Sequence, residues 1–297
     1  MDNNKKPQMA DINWYPGHMA KAKRKIQECL KLVDAVVELV DARIPDSSRN
    51  PDFDVLFSAK PRIIVLNKSD LANDIETKKW LDFYNKKNCL AIAMNSKIGK
   101  SSINFIDLVK GLLKDQIEKN KRRGILNKTI RMMVVGIPNV GKSSFINNLV
   151  KGRRTKVENR PGVTQSTQWY LLRKNVELLD TPGVLWPKID DRAVAEKLAF
   201  CGAIKDQILD IEGLAGRFLI IIKDKYRQNL IKRYKLPEAF WDYENVDGYD
   251  ILREIGKKRG MLLSGGEVDI SRAAETILGE FRSAKLGKIT LDDVPNQ

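Results

Sequence analysis

The sequence predicts an α/β fold: a mostly parallel six-stranded sheet covered by helices, followed by a smaller all-helical region. Three observations carry this. Short β-branched and apolar runs alternate with helical segments through the first two thirds of the chain, one of those runs leads straight into a glycine-rich turn, and the β-alternation fades beyond Trp186.

His18 to Leu32, rich in Ala, Lys and Arg, reads as a helix. Strands are expected at Val36–Val40, Arg62–Leu66, Leu90–Ala93 and Arg131–Val135, with helices at Asp74–Lys86 and Ser102–Glu118 between them. Ser143–Val150 reads as a short helix, followed by the polar, basic loop Lys151–Gln165. Gln168–Leu172 and Val176–Leu179 flank Arg173-Lys174-Asn175, a spacing short enough for a hairpin that adds an antiparallel edge. Beyond it, Arg192–Ile204, Ile208–Arg227, Tyr249–Lys258 and Ser271–Ser283 have helical spacing. A proline interrupts the pattern at Trp186-Pro187, which divides the chain into residues 1–186 and 187–297. The two ends and Lys119–Asn127 read as disordered, and no repeat or zipper is visible, so a monomer is expected.

With 297 residues, 42% hydrophobic and 31% charged, the chain reads as globular, and no apolar run approaches the roughly 20 residues that cross a bilayer. Met1–Ala10 is polar and lacks the apolar stretch of a signal peptide, so a cytoplasmic location is expected. Cys29, Cys89 and Cys201 lie far apart and His18 is the single histidine, which argues against a disulfide framework, a zinc site or a Ser-His-Asp arrangement. The net charge is +15, and residues 186–297 carry 19 basic and 19 acidic side chains, so the whole surplus lies in the first two thirds. Such a surplus favours phosphate backbones. An anionic membrane competes as a partner, but basic Met19–Val33 lacks a broad apolar face, so no membrane association is expected. In the other part, Arg217–Lys235 holds seven basic residues against Asp224 alone, either an RNA-facing stripe or a solvated helix face.

The chemistry resides in four motifs at expected strand ends. Gly136-Ile137-Pro138-Asn139-Val140-Gly141-Lys142-Ser143, followed by Ser144 in the expected helix, has the context of a phosphate loop. Its backbone N–H groups can curl around a β-phosphate, Lys142 can reach the β- and γ-phosphates, and the Ser143 hydroxyl can bind Mg²⁺. A second Gly-Lys-Ser triplet, Gly99-Lys100-Ser101, has Met94 where the loop needs its first glycine. Asp70 of Asn67-Lys68-Ser69-Asp70 can accept two hydrogen bonds from the N1–H and exocyclic amine of guanine, a donor pair adenine lacks. Lys68 would lie along the ring and Asn67 would tie neighbouring loops together. In Asp180-Thr181-Pro182-Gly183, Asp180 can hold Mg²⁺ through water and the Gly183 N–H can meet the γ-phosphate. Thr164, in Pro161-Gly162-Val163-Thr164, is the candidate to complete the Mg²⁺ shell, against the reading as a plain turn. The four together predict a P-loop GTPase domain whose guanine-reading segment precedes its phosphate loop, a circular permutation of the usual order.

The sequence resembles the RbgA/YlqF family of circularly permuted GTPases through these motifs together with Trp14-Tyr15-Pro16-Gly17-His18-Met19, Asp41-Ala42-Arg43-Ile44-Pro45, Ser47 and Arg49-Asn50-Pro51. The resemblance implies GTP hydrolysis in late maturation of the large (50S) ribosomal subunit, rRNA as partner, a helical RNA-binding domain at 187–297 and stimulation by that subunit. It places a second guanine-contacting loop at Met94-Asn95-Ser96-Lys97, where Ser96 matches and Lys97 stands at an alanine position. Val184 follows Gly183 where signalling GTPases carry a water-orienting glutamine, which predicts slow intrinsic hydrolysis. His18 is then a candidate to help, against the reading as a structural turn residue. Asn139 is similar to an asparagine with which related GTPases hold K⁺. A nucleotide-gated translation or signalling regulator with little turnover is the competing reading, and a metabolic kinase the third.

Overall fold

A computed structural model describes residues 16–87, 89–96, 102–150, 156–157, 168–173, 175–185, 189, 191–204, 210–242 and 246–295. These fall into two compact units, one within 13–70, 74–188 and 292–297, the other within 71–73 and 189–291 among the described residues. The expected boundary at Trp186-Pro187 lies outside the described residues.

The first unit runs α1 (Pro16–Leu30), β1 (Ala35–Asp41), α2 (Asp52–Leu56), β2 (Arg62–Asn67), α3 (Asp74–Lys86), β3 (Leu90–Met94), α4 (Ser102–Leu112), α5 (Lys114–Arg122), β4 (Ile130–Gly136), α6 (Lys142–Val150), β5 (Lys156–Val157), β6 (Gln168–Arg173) and β7 (Val176–Asp180). The sheet order is β3-β2-β1-β4-β7-β6-β5, parallel from β3 to β7 and antiparallel beyond. All six expected strands form, and two-residue β5 adds a seventh at the edge, too short to show a period in the sequence. Ala35–Asp41 is buried along its whole length, as a central strand covered on both faces must be. Burial pushes the Glu38 carboxyl up on that strand; Arg49 at 3.1 Å and Arg62 at 3.4 Å oppose the push. The expected helix Ser102–Glu118 breaks at Leu113, and α5 continues to Arg122, where disorder was expected.

The chain leaves β1 to build β2 and β3 on one side, then returns to place β4 and β7 on the other. The crevice between the carboxyl ends of β1 and β4 is therefore the topological switch point, the place where open parallel sheets bind ligands.

The second unit contains α7 (Arg192–Phe200), α8 (Ile211–Ile222), α9 (Arg227–Tyr234), α10 (Gly248–Lys258) and α11 (Ile270–Arg282). Four of these helices start the same way: the carboxylates of Asp191, Asp210, Asp247 and Asp269 accept hydrogen bonds from first-turn N–H groups. α8 packs against α7, α10 and α11, and the Phe218 ring meets Phe200 edge-on at 5.3 Å and lies tilted against Phe281 at 4.7 Å. A Cβ at Gly248 would collide with the Gly216 backbone, so glycine permits the close crossing of α8 and α10. The expected helix Ile208–Arg227 splits, because α8 ends at Ile222 and Tyr226 turns inward to hydrogen-bond the Thr290 carbonyl at 3.0 Å.

Candidate functional site

The five parallel strands end at Asp41, Asn67, Met94, Gly136 and Asp180, and each of the five begins a segment singled out from the sequence. Parallel pairing puts their carboxyl ends on one side of the sheet, and α6 starts there at Lys142. A pocket of about 640 Å³ opens between them, lined by Lys68, Pro138, Asn139, Gly141 to Ser144, and Asp180 to Gly183.

The loop before α6 depends on backbone shapes that few residues tolerate. Gly136 and Gly141 have φ of 153° and 102°, and a Cβ at either would strike Leu39 O or the Asn67 amide. Asn139 lies in the left-handed region at φ 58°. Val140 is buried and contributes through its carbonyl, which accepts from Asn67 Nδ2 at 2.8 Å. Asn67 Oδ1 accepts from the Ser96 N–H and hydroxyl at 3.3 and 2.6 Å. One buried amide thus ties the phosphate loop to the Asn95-Ser96 loop, and the Ser96 hydroxyl is spent inward.

Lys142 Nζ is half-buried and donates to the carbonyls of Gly136 and Ile137 at 3.0 and 2.8 Å. Burial pulls its ammonium down to about 8, against the raising influence of Asp180. Burial likewise raises the Asp180 carboxyl, which Lys142 and the Thr181 N–H oppose. Below pH 8 the lysine is charged and attracts phosphate; above it the charge is lost. Nucleotide affinity of the free protein should therefore weaken about tenfold between pH 7 and 9. Titrating GDP binding across that range checks this, and a flat profile, or the same slope in Lys142→Met, would count against it.

Thr181 Oγ donates to the Val134 carbonyl at 2.6 Å and Val184 N–H to Gly136 O at 3.2 Å, which fixes the segment around Gly183 against the phosphate loop. Val184 is buried in an apolar cluster with Ile26, Cys29, Met133 and Trp169, so its side chain orients no water. Asp70 lies half-buried on the single turn Ser69–Leu71; of the base-reading residues expected from the sequence Lys68 lines the pocket, and Asp70, Asn95 and Ser96 do not. His18 is in the first turn of α1, with its side chain outside the described residues; Thr164 and Lys97 lie outside them altogether.

Sequence reasoning assigned no role to several residues that build this site. Both Asp41 oxygens bind the Arg43 guanidinium at 2.8 and 2.6 Å, and Oδ2 also accepts from Lys68 Nζ at 2.9 Å. Burial alone would raise the Asp41 carboxyl; Arg43 and Lys68 outweigh it and hold the group well below the usual carboxylate range. Lys68, itself left-handed at φ 58°, donates on to Asn139 O at 2.7 Å. Asn148, on α6, donates to the Ser96 carbonyl at 3.1 Å. Two signals were available: Asp41-Ala42-Arg43-Ile44-Pro45 is one of the segments that carry the resemblance, and Asp41 directly follows an expected strand.

Among the described residues no group of three or more His, Cys, Asp or Glu side chains is placed to hold a metal. The pocket lining carries three hydroxyls, those of Ser143, Ser144 and Thr181, the last already donating to the Val134 carbonyl, and one carboxylate, Asp180. That set fits Mg²⁺, which keeps waters and takes further oxygens from substrate phosphates.

A phosphate-cradling loop between β4 and α6, facing Asp180 and Gly183 and preceded in the chain by the Asn67–Asp70 segment, defines a circularly permuted P-loop GTPase. A family model described as "50S ribosome-binding GTPase" matches residues 131–238, which begins at β4 and omits everything the permutation has moved forward. "Ribosome biogenesis GTPase A" of Bacillus cereus is 45% identical over 281 residues, covering 95% of this chain and 93% of that protein. The GNP-bound structure of YlqF from Thermotoga maritima is 29% identical with a TM-score of 0.63, covering 92% of this chain and 97% of that one. GDP-bound TM YlqF is 28% identical with a TM-score of 0.64, covering 91% and 98%. The chain belongs to the RbgA/YlqF family of circularly permuted GTPases.

Proposed function

We propose that this GTPase is an assembly factor for the large (50S) ribosomal subunit, which it binds through rRNA in the cytoplasm as a monomer, leaving after hydrolysis. The observation that carries the reading is the pairing of a phosphate-loop pocket, lined by Lys68, Lys142, Ser143 and Asp180 to Gly183, with the likeness, over 95% of the chain, to proteins named for ribosome biogenesis.

Asp70 reads guanine with Lys68 along the ring, and Asn95 and Ser96 shape the second base-contacting loop. The N–H groups of residues 138–144 cradle the phosphates and Lys142 neutralises them. Ser143 and Thr164 would hold Mg²⁺ directly and Asp180 through water, and the metal would offset charge developing on the phosphate oxygens. The Gly183 N–H meets the γ-phosphate. With Val184 buried, water activation falls to another group, and His18 is that group: α1, whose first turn carries it, packs Ile26 and Cys29 into the same cluster as Val184. Asn139 would hold K⁺, an auxiliary charge beside the β- and γ-phosphates.

The helical unit supplies an RNA-facing surface narrower than the sequence suggested. Arg217 pairs with Glu196 at 2.8 Å and Arg233 with Glu280 at 2.5 Å, while Lys225, Arg227, Lys232 and Lys235 are exposed. The exposed basic helix α5 is the corresponding surface of the α/β unit.

Measuring GTP hydrolysis alone, with mature large subunits and with their precursors tests the proposal. Stimulation of at least tenfold by one of the particles is expected, given the valine at the water-orienting position. No stimulation by either particle would favour the nucleotide-gated regulator instead.

A further inference from the structure

Asp292, beyond the last helix, lies far in sequence from every motif. Its carboxylate is 3% exposed and takes three hydrogen bonds from one loop. Oδ2 accepts from the N–H groups of Asp46 and Ser47 at 2.9 and 2.8 Å, and Oδ1 accepts from the Ser47 hydroxyl at 2.7 Å. The Asp292 carbonyl accepts from Trp80 Nε1 at 3.3 Å, and the neighbouring Tyr84 hydroxyl donates to the Pro45 carbonyl at 3.1 Å.

The loop so held follows β1 and directs three groups at Asp41 and Asn67, the last residues of β1 and β2. The Ser48 hydroxyl accepts from the Asp41 N–H at 2.9 Å, Arg43 grips the Asp41 carboxylate, and the Ala42 N–H donates to Asn67 O at 2.8 Å. Asp41 in turn holds Lys68 Nζ at 2.9 Å. Each link is short and every side chain in it except that of Lys68 is almost fully buried. A buried polar chain of this kind has little slack, since a broken link leaves a desolvated donor or charge without its partner.

We infer that Asp292 is a positioning residue for guanine-nucleotide binding: by fixing the Ala42–Ser48 loop it sets the Asp41 carboxylate, and through it the Lys68 side chain that lies along the base. The inference rests on the assignment of Lys68 and Asp70 to the base under the proposed function. Asp292→Asn keeps the shape but removes the charge: its carbonyl oxygen can still accept from the Asp46 and Ser47 N–H groups, while its amide meets the Ser47 hydroxyl, which must turn from donor to acceptor, so all three bonds lose their charge assistance. The effect falls on the base side, so GDP and a non-hydrolysable GTP analogue should lose affinity by the same factor.

The test is a double-mutant cycle on the full chain, with fluorescent GDP and the GTP analogue as probes and circular dichroism to confirm folding. Asp292→Asn is expected to weaken both nucleotides about tenfold, and in the Lys68→Ala background to cost less than about twofold, since its effect passes through Lys68. A merely structural role would lower the melting temperature and give the same loss in both backgrounds. That result, or unchanged affinity in the folded variant, overturns the inference. Should Asp292→Asn fail to fold, Ser47→Ala removes one of the three bonds and goes through the same cycle with about a threefold loss expected. If Lys68→Ala and Asp70→Asn themselves leave GDP affinity unchanged, the assignment of the base site falls and takes the inference with it, whereas losses there without one at Asp292 sink the inference alone.

Discussion

Asp70→Asn is expected to weaken GTP and GDP binding by at least about 100-fold while creating affinity for xanthine nucleotides. A carboxylate offers guanine two acceptors, one for N1–H and one for the exocyclic amine. Asparagine keeps one acceptor and turns a donor toward the amine, so two donors meet in a half-buried site. Xanthine carries a carbonyl in place of the amine and accepts that donor. The surroundings leave Asp70 little freedom to escape the clash. It sits on a single turn directly after Lys68, whose backbone is left-handed and whose side chain is held by Asp41 and Asn139 O. Competition binding with GDP, XDP and ADP measures this. Equal affinity of wild type and variant for GDP would show that another group reads the base.

The sheet was legible because each strand is a compact β-branched run bounded by turn residues, and because the phosphate loop announces the carboxyl end of β4. The aspartates before α7, α8, α10 and α11 mark four helix starts on the same physical basis, a side-chain acceptor for unpaired first-turn N–H groups. Helix ends were harder. Ile208–Arg227 reads as continuous because Ile222 and Tyr226 keep helical spacing, yet Tyr226 is held by Thr290, a partner 64 residues away. Phosphate-loop residues could be assigned from spacing alone, since a loop and the helix after it fold locally. The groups that hold Lys68 could not. Asp41 and Lys68 meet because β1 and β2 are neighbours in register, with Asp41 opposite Asn67, and Asp292 meets Ser47 across 245 residues. Register and long-range return are properties of the assembled sheet, and no local pattern encodes them.

Under the proposed function the permutation makes Gly183 the residue where hydrolysis and chain connectivity meet, since the segment assigned to the γ-phosphate is followed in the chain by the helices of the second unit. Gly183→Ala should lower the turnover of GTP by about 100-fold or more and leave GDP affinity within about threefold. A Cβ at this position would lie 2.7 Å from Lys142 Nζ and 3.0 Å from both Pro138 N and Pro138 Cα. The lysine end can move aside, but the Pro138 backbone cannot without disturbing its loop. That loop is pinned from the other side, by Asn67 on the Val140 carbonyl and Lys68 on the Asn139 carbonyl. Gly183 itself is exposed: its segment is tied down at Thr181 and Val184, which leaves the peptide between them room to shift outward. The strain is therefore relieved by displacement of Gly183, which withdraws its N–H from the γ-phosphate and leaves the cradle for the β-phosphate intact. Single-turnover hydrolysis beside GDP titration separates the two effects. A variant that loses GDP affinity in proportion to turnover would mean that the phosphate loop gives way instead, and one with normal turnover would remove the Gly183 N–H from the transition state.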